Sequence, residues 1–297
     1  MNKERRARAN IITAMFIYGS VGLFVRFIPL PSSVISMVRG LIGTPFLLLV
    51  LLIKKQKPDT AAIRANLLPL LISGSLLGFN WILLFEAYRY TTVATATLCY
   101  YLAPLIIVAL SPFIFRERLG WRKLTCILAA LCGMVFVSGV AKNGIPSLAE
   151  LKGVLLGIAA ALFYAAIVIT NKFLKNIGPF DRTVMQLGIS AVWMLLYNLV
   201  SGSFAQCGAV GGGALLALAV LGIVHTGFAY LLYFGSMEHL PSQTLAILSY
   251  IDPVVAVLLS AFVLREAVGI YEFIGAALIL GAAFVSELPE KDSRASA

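Results

Sequence analysis

Apolar stretches of about 18 to 24 residues follow one another from end to end of this chain. Each is long enough to cross roughly 30 Å of hydrocarbon as an α-helix. They are read at residues 10–28, 33–53, 67–88, 92–115, 122–140, 151–173, 183–201, 212–234, 241–264 and 269–287. With 60% hydrophobic and only 12% charged residues, the chain has too little charge to cover a water-soluble surface, so lipid is its solvent. The connections are short and polar. Pro29 and Pro31 mark the first, Lys54 to Arg64 the second, Gly178-Pro179 the sixth and Gly208 to Gly213 the seventh. None leaves room for a soluble domain.

The net charge of +10 would suit a nucleic-acid partner if it formed a face or stripe, but Lys and Arg sit in short clusters between apolar spans, so none is expected. Their placement instead orients the chain. With the N-terminus cytoplasmic, the inner segments hold Lys3, Arg5, Arg6, Arg8, Lys54, Lys55, Lys57, Arg64, Arg116, Arg118, Arg122, Lys123, Lys172, Lys175, Arg182, Lys291 and Arg294. The outer ones hold Arg26, Arg89, Lys142, Lys152 and Arg265. That asymmetry predicts a multi-pass protein of the cell membrane with both termini cytoplasmic. The basic start lacks a clear small-residue cleavage site and reads as an uncleaved first helix. Cys99, Cys126, Cys132 and Cys207 show no zinc or redox spacing, and no metal or cofactor is expected.

An internal repeat organises the chain. Thr95 to Gly120 lies over Thr244 to Gly269 without a gap at an offset of 149 residues, matching Tyr101 to Tyr250, Pro104 to Pro253, Phe113 to Phe262 and Arg116-Glu117 to Arg265-Glu266. Upstream, Tyr18 with Arg26-Phe27 resembles Tyr164 with Lys172-Phe173. Because five helices is an odd number, the second copy enters the membrane upside down. The expected fold is all-α and integral to the membrane: ten transmembrane helices as two inverted five-helix repeats, residues 1–145 and 146–297. Inverted repeats are the architecture of alternating-access carriers, with sites near the midplane between the halves.

On those residues the chain resembles the drug/metabolite transporter superfamily, specifically the EamA-type ten-helix exporters. The resemblance covers nearly the whole chain. It rests most on the proline followed by a glutamate at the helix end, Pro104 to Glu117 and Pro253 to Glu266, and on the Gly-rich last helix, Gly275 to Gly281. The acidic residue that precedes the family's proline is Asp252 in the second half and is replaced by Ala103 in the first. The resemblance implies proton- or gradient-linked export of amino acids or similar metabolites. A multidrug or quaternary-cation, choline-like exporter is the alternative. Monomer and homodimer both fit.

Several side chains are candidates for the site. Pro104 and Pro253 at mid-span should bend their helices and free the carbonyls of Tyr100 and Ser249, to meet either substrate or a neighbouring side chain. Arg39, within a span, either snorkels outward as an anchor or ion pair, or binds a substrate carboxylate. Tyr18, Trp81, Tyr100, Tyr101, Tyr164, Tyr230 and Tyr250 could stack on a ligand or simply pack between helices, whereas Tyr88 and Tyr90 read as interfacial belt. Asn80, Asn171 and Gln186 could supply orienting hydrogen bonds. Asp252 and His225, both in the second half, are the candidate proton-coupling pair, with Asp252 the main site and His225 a modulator. Glu86 and Arg89 suit an ordinary surface role. A channel filter is absent, as are the HExxH, GxSxG and P-loop motifs, which argues against a channel or an enzyme.

Overall fold

The computed structural model describes residues 3–55, 57–115, 120–137, 147–237, 239–240 and 242–288. Arg116-Glu117, Arg118, the end of the fifth stretch at 138–140, Lys142, Lys291 and Arg294 lie outside these residues. Every regular element among the described residues is helical. The first stretch forms α1 (Lys3–Gly19) and α2 (Val21–Arg26), followed by α3 (Ser32–Ile53), a short α4 (Thr60–Ala65) and α5 (Leu67–Tyr90). Next come α6 (Val93–Tyr100), α7 (Ala103–Phe115), α8 (Trp121–Val137), α9 (Leu148–Asn171) and α10 (Pro179–Ser201). The rest is α11 (Gly212–Val220), a π-helical stretch (Leu221–Phe228), α12 (Ala229–Met237), α13 (Ser242–Ser249), α14 (Ile251–Phe262) and α15 (Ile270–Glu287). Seven helical runs are long and apolar enough to cross a membrane, and two shorter helices, Ile251–Phe262 and Ile270–Val285, are also apolar. Large apolar side chains such as Val200 and Phe113 lie 90% and 85% exposed, a surface that only lipid would cover without cost.

Local chemistry sets the helix ends. Ser147 and Glu150 form a capping box that opens α9, with the Ser147 N–H donating to Glu150 Oε2 at 3.0 Å. Thr92 caps α6 by accepting the Thr95 N–H at 3.0 Å. Pro179 starts α10, and Gly202, with φ +67°, stops it in the left-handed conformation.

Polar groups of separate connections meet at two places in the bundle. One gathers the end of α2, the α5–α6 turn and the loop after α14. The other gathers Asn66 and Lys175, where the Lys175 N–H donates to Asn66 Oδ1 at 2.8 Å, and the Asp59 N–H, which donates to Asp181 Oδ2 at 3.1 Å.

Helices from 1–145 pack against helices from 146–297 throughout: α5 on α9, α10 on α3 and α5, α3 on the π-helical stretch, and α1 on α12 and α14. Several close approaches need glycine. A Cβ on Gly19 would lie 2.5 Å from the Asp252 carbonyl oxygen, and one on Gly227 would lie 2.4 Å from Phe46 Cδ1. Small residues let backbones meet where lipid gives no hydrophobic drive for helix association.

Candidate functional site

Arg39 is the most demanding residue of the interior, because a buried cation must be paired or solvated by dipoles. It does not snorkel. Only 4% exposed, it turns inward from α3, donates from Nε to Thr226 Oγ1 at 3.1 Å and lays its guanidinium 4.3 Å from the centroid of a Trp81 ring and 5.4 Å from that of Phe85. Thr226 in turn donates to the Leu221 carbonyl at 2.9 Å, five residues back, so the π-helical stretch presents the arginine's acceptor. The ion pairs Glu4–Arg8, Arg26–Glu266 and Glu86–Arg89 lie elsewhere, and among the described residues no carboxylate pairs with Arg39.

His225 belongs to the same π-helical stretch. Its Nδ1–H donates to the Val220 carbonyl at 3.2 Å, since a carbonyl can only accept, and its Nε2 lies 2.9 Å from the Ser20 hydroxyl. Phe24 packs edge-on at 4.8 Å. Both ring nitrogens are thus engaged, one by a carbonyl of its own helical run and the other by Ser20, between α1 and α2.

Beside these lies a cluster of tyrosines. Tyr18 meets Tyr230 at 5.7 Å and Tyr233 at 6.4 Å between ring centroids; Tyr100 meets Tyr164 at 5.4 Å and Tyr101 at 6.2 Å; Tyr101 meets Tyr250 at 6.3 Å. Tyr18, Tyr88 and Tyr100 lie within electrostatic range of both Arg39 and Asp252, so the cluster has a cation and an acid near it. Asp252, in the first turn of α14, accepts the Tyr101 hydroxyl at 2.8 Å. Phe234, packed on Tyr230 and Tyr233 at 5.7 and 5.2 Å, also lines a cavity of about 370 Å³ between Leu51, Lys57 and Gly178 to Asp181.

The regular helix is interrupted just before each of the two prolines. Pro104 is the second residue of α7 and Pro253 the third of α14, each just after an interruption at Tyr101-Leu102 or Tyr250, where a missing N–H costs a helix least. The Tyr101 hydroxyl lies 3.3 Å from the Ser249 carbonyl, so a side chain meets that group.

Asn80 and Gln186 point to neighbouring helices. Asn80 Nδ2 donates to the Ala160 carbonyl at 2.6 Å, and Gln186 Nε2 to Ser73 Oγ at 2.7 Å and Asn171 Oδ1 at 2.6 Å. Tyr88, read as belt, is 4% exposed, with its hydroxyl 3.4 Å from Thr97 Oγ1; the turn of α5 that carries it faces the core. Tyr90 instead accepts from Lys152 Nζ at 2.7 Å near the surface. Glu86 takes the Ser32 hydroxyl at 2.7 Å, and Arg89 binds the Leu30 carbonyl, so this pair fixes the first connection.

Sequence reading passed over Thr226 and the bonds of Glu266. The Glu266 carboxylate lies 3.1 Å from Arg26 Nη2, accepts the Val93 N–H at 2.9 Å and takes the Ser260 hydroxyl, joining the end of α2, the start of α6 and the loop after α14. Its place in the Pro253 to Glu266 motif was the available signal.

A family model described as the EamA-like transporter family matches residues 7–139 and again 151–287. The chain belongs to that family. This EamA-like transporter is 31% identical, over 93% of its own length and 88% of the relative's, to the uncharacterized transporter YxxF of Bacillus subtilis (strain 168). It is 27% identical, over 95% and 96%, to an uncharacterized transporter of Archaeoglobus fulgidus. It is 28% identical, over 72% of its length and 74% of the relative's, to the aromatic amino acid exporter YddG of Ancylobacter novellus. A solved crystal structure of a protein 22% identical to it superposes with a TM-score of 0.64, covering 95% of this chain and 98% of the other, and shows the shared fold. The protein is thus a multi-pass membrane transporter, which acts on a small-molecule substrate and is not an enzyme.

Proposed function

We propose that this transporter is a secondary-active exporter of amino acids or closely related metabolites, working by alternating access and coupled to protons through Asp252. In this reading ten spans form two inverted five-helix halves, 1–145 and 146–297, in the cell membrane with both termini cytoplasmic, and the tyrosine cluster between the halves receives the substrate. The double match of one family model at 7–139 and 151–287 supports the two halves. The likeness to an aromatic amino acid exporter supports the substrate class.

The observation that carries the reading is Arg39. A guanidinium held by one hydroxyl over two aromatic rings, with no carboxylate paired to it among the described residues, is a receptor for an incoming carboxylate. The same cation disfavours a quaternary-ammonium substrate, which it would repel. Arg39→Gln keeps a donor for Thr226 and removes the charge. Its affinity for amino acids should fall about tenfold or more, because a charge-assisted bond is lost, while the affinity for the corresponding amino-acid amides stays within a small factor. Binding to purified protein measures both. An equal loss for acids and amides would return Arg39 to a packing role.

A further inference from the structure

We propose that Tyr101 is the positioning residue of coupling: its single hydroxyl proton switches acceptor with the protonation of Asp252 and so re-pins the break of one half onto the other. This rests on the reading of the protein as a proton-coupled carrier. The Tyr101 oxygen lies 2.8 Å from Asp252 Oδ2 and 3.3 Å from the Ser249 carbonyl oxygen. One hydroxyl proton serves one of these acceptors at a time. The Ser249 carbonyl needs such a donor, because the residue four places on is Pro253, which has no N–H to give.

With Asp252 ionised, Tyr101 donates to the carboxylate. When the carboxylate takes a proton from hydronium, leaving water, the new O–H donates to the Tyr101 oxygen, and the Tyr101 proton turns to the Ser249 carbonyl. One proton is gained from solution: one hydronium O–H bond breaks and one carboxyl O–H bond forms. The link between the two halves thereby passes from a side chain of α14 to the backbone at the end of α13. Tyr101 itself stands in the interruption between α6 and α7, so each state pins one broken span to a different point of the other. Its ring touches Tyr100 and Tyr250, which carries the change into the cluster.

The other titratable groups near Asp252 are Tyr18 on α1, Tyr88 on α5, Tyr100 on α6 and Tyr164 on α9. Arg26 of α2 is engaged by Glu266. At the place matching Asp252 the first half has Ala103, so the device exists once per chain.

The test uses the full-length protein in liposomes with a mixture of radiolabelled L-amino acids, comparing exchange at equal pH with accumulation driven by a pH gradient. In Tyr101→Phe the ratio of gradient-driven accumulation to exchange should fall about tenfold, as expected for loss of one hydrogen bond to a charged group. Pro253→Ala restores an N–H for the Ser249 carbonyl, removing the second acceptor's need while leaving Tyr101 intact. It should lower the same ratio, which a purely packing role of the tyrosine would not produce. Asp252→Asn sets the fully uncoupled limit. A wild-type ratio in Tyr101→Phe, or accumulation and exchange falling in parallel in both Tyr101→Phe and Pro253→Ala, overturns the switch and leaves the carrier standing. A wild-type protein that exchanges none of the labelled amino acids overturns the carrier reading, and the switch with it.

Discussion

Replacing Glu266 by Gln should loosen the end of the bundle at which Arg26, Val93 and Ser260 meet. The carboxylate is 9% exposed and Arg26 is 37% exposed, so their ion pair at 3.1 Å is partly screened and is worth about 1 kcal/mol. The bond from the Val93 N–H, at 2.9 Å, falls from charge-assisted to neutral, costing about 1 kcal/mol more. Loss of about 2 kcal/mol raises the open fraction of this end about 30-fold. Arg265, with φ +55°, turns Glu266 toward the bundle, and the Glu266 N–H donates to the Ser260 carbonyl at 3.0 Å, so the backbone keeps its course while the charge is removed. The reporter is Ala96→Cys in a background freed of the four native cysteines. Ala96 is fully buried in α6, about one turn below Val93, and should react with a polar maleimide only when this end opens. Labelling of purified protein in nanodiscs should accelerate about 30-fold in Glu266→Gln and about fivefold in Arg26→Gln, which loses the ion pair alone. Labelling at the parental rate in both, with the fold intact, would refute the idea that this cluster holds the end shut.

Gly227→Ala forces a Cβ to within 2.4 Å of Phe46 and should cost about 1 to 3 kcal/mol in thermal unfolding, whereas Gly235→Ala, whose Cβ meets nothing within 4 Å, should be close to neutral. For the orientation, Thr60→Cys in intact cells should be shielded from an impermeant thiol reagent while Ala209→Cys reacts; the reverse pattern would invert the proposed topology.

How far the sequence reached differs from one feature to the next. The apolar stretches alone required helices, because lipid offers the backbone no other partner for its polar groups. The family, too, was legible in the two proline-to-glutamate motifs. Pro104 and Pro253 located the interruptions to within a few residues, since proline removes a donor wherever it stands.

What a side chain faces was decided only by the tertiary structure. A helix that is apolar all round carries no periodicity to say which side meets protein and which meets lipid. Sequence alone therefore left Arg39 between snorkelling outward and turning in. The turn inward came from Thr226 on a π-helical stretch and from Trp81 on a third helix, both far along the chain. Asn80 and Gln186 resemble ligand-binding residues by composition, and only the tertiary structure shows that each gives an amide N–H to a neighbouring helix, while Asn80 Oδ1 is buried without a partner. Glu266 and Arg26 are 240 positions apart in the sequence, and no local rule joins them. They meet because packing of the helices brings the end of α2, the start of α6 and the loop after α14 to one place.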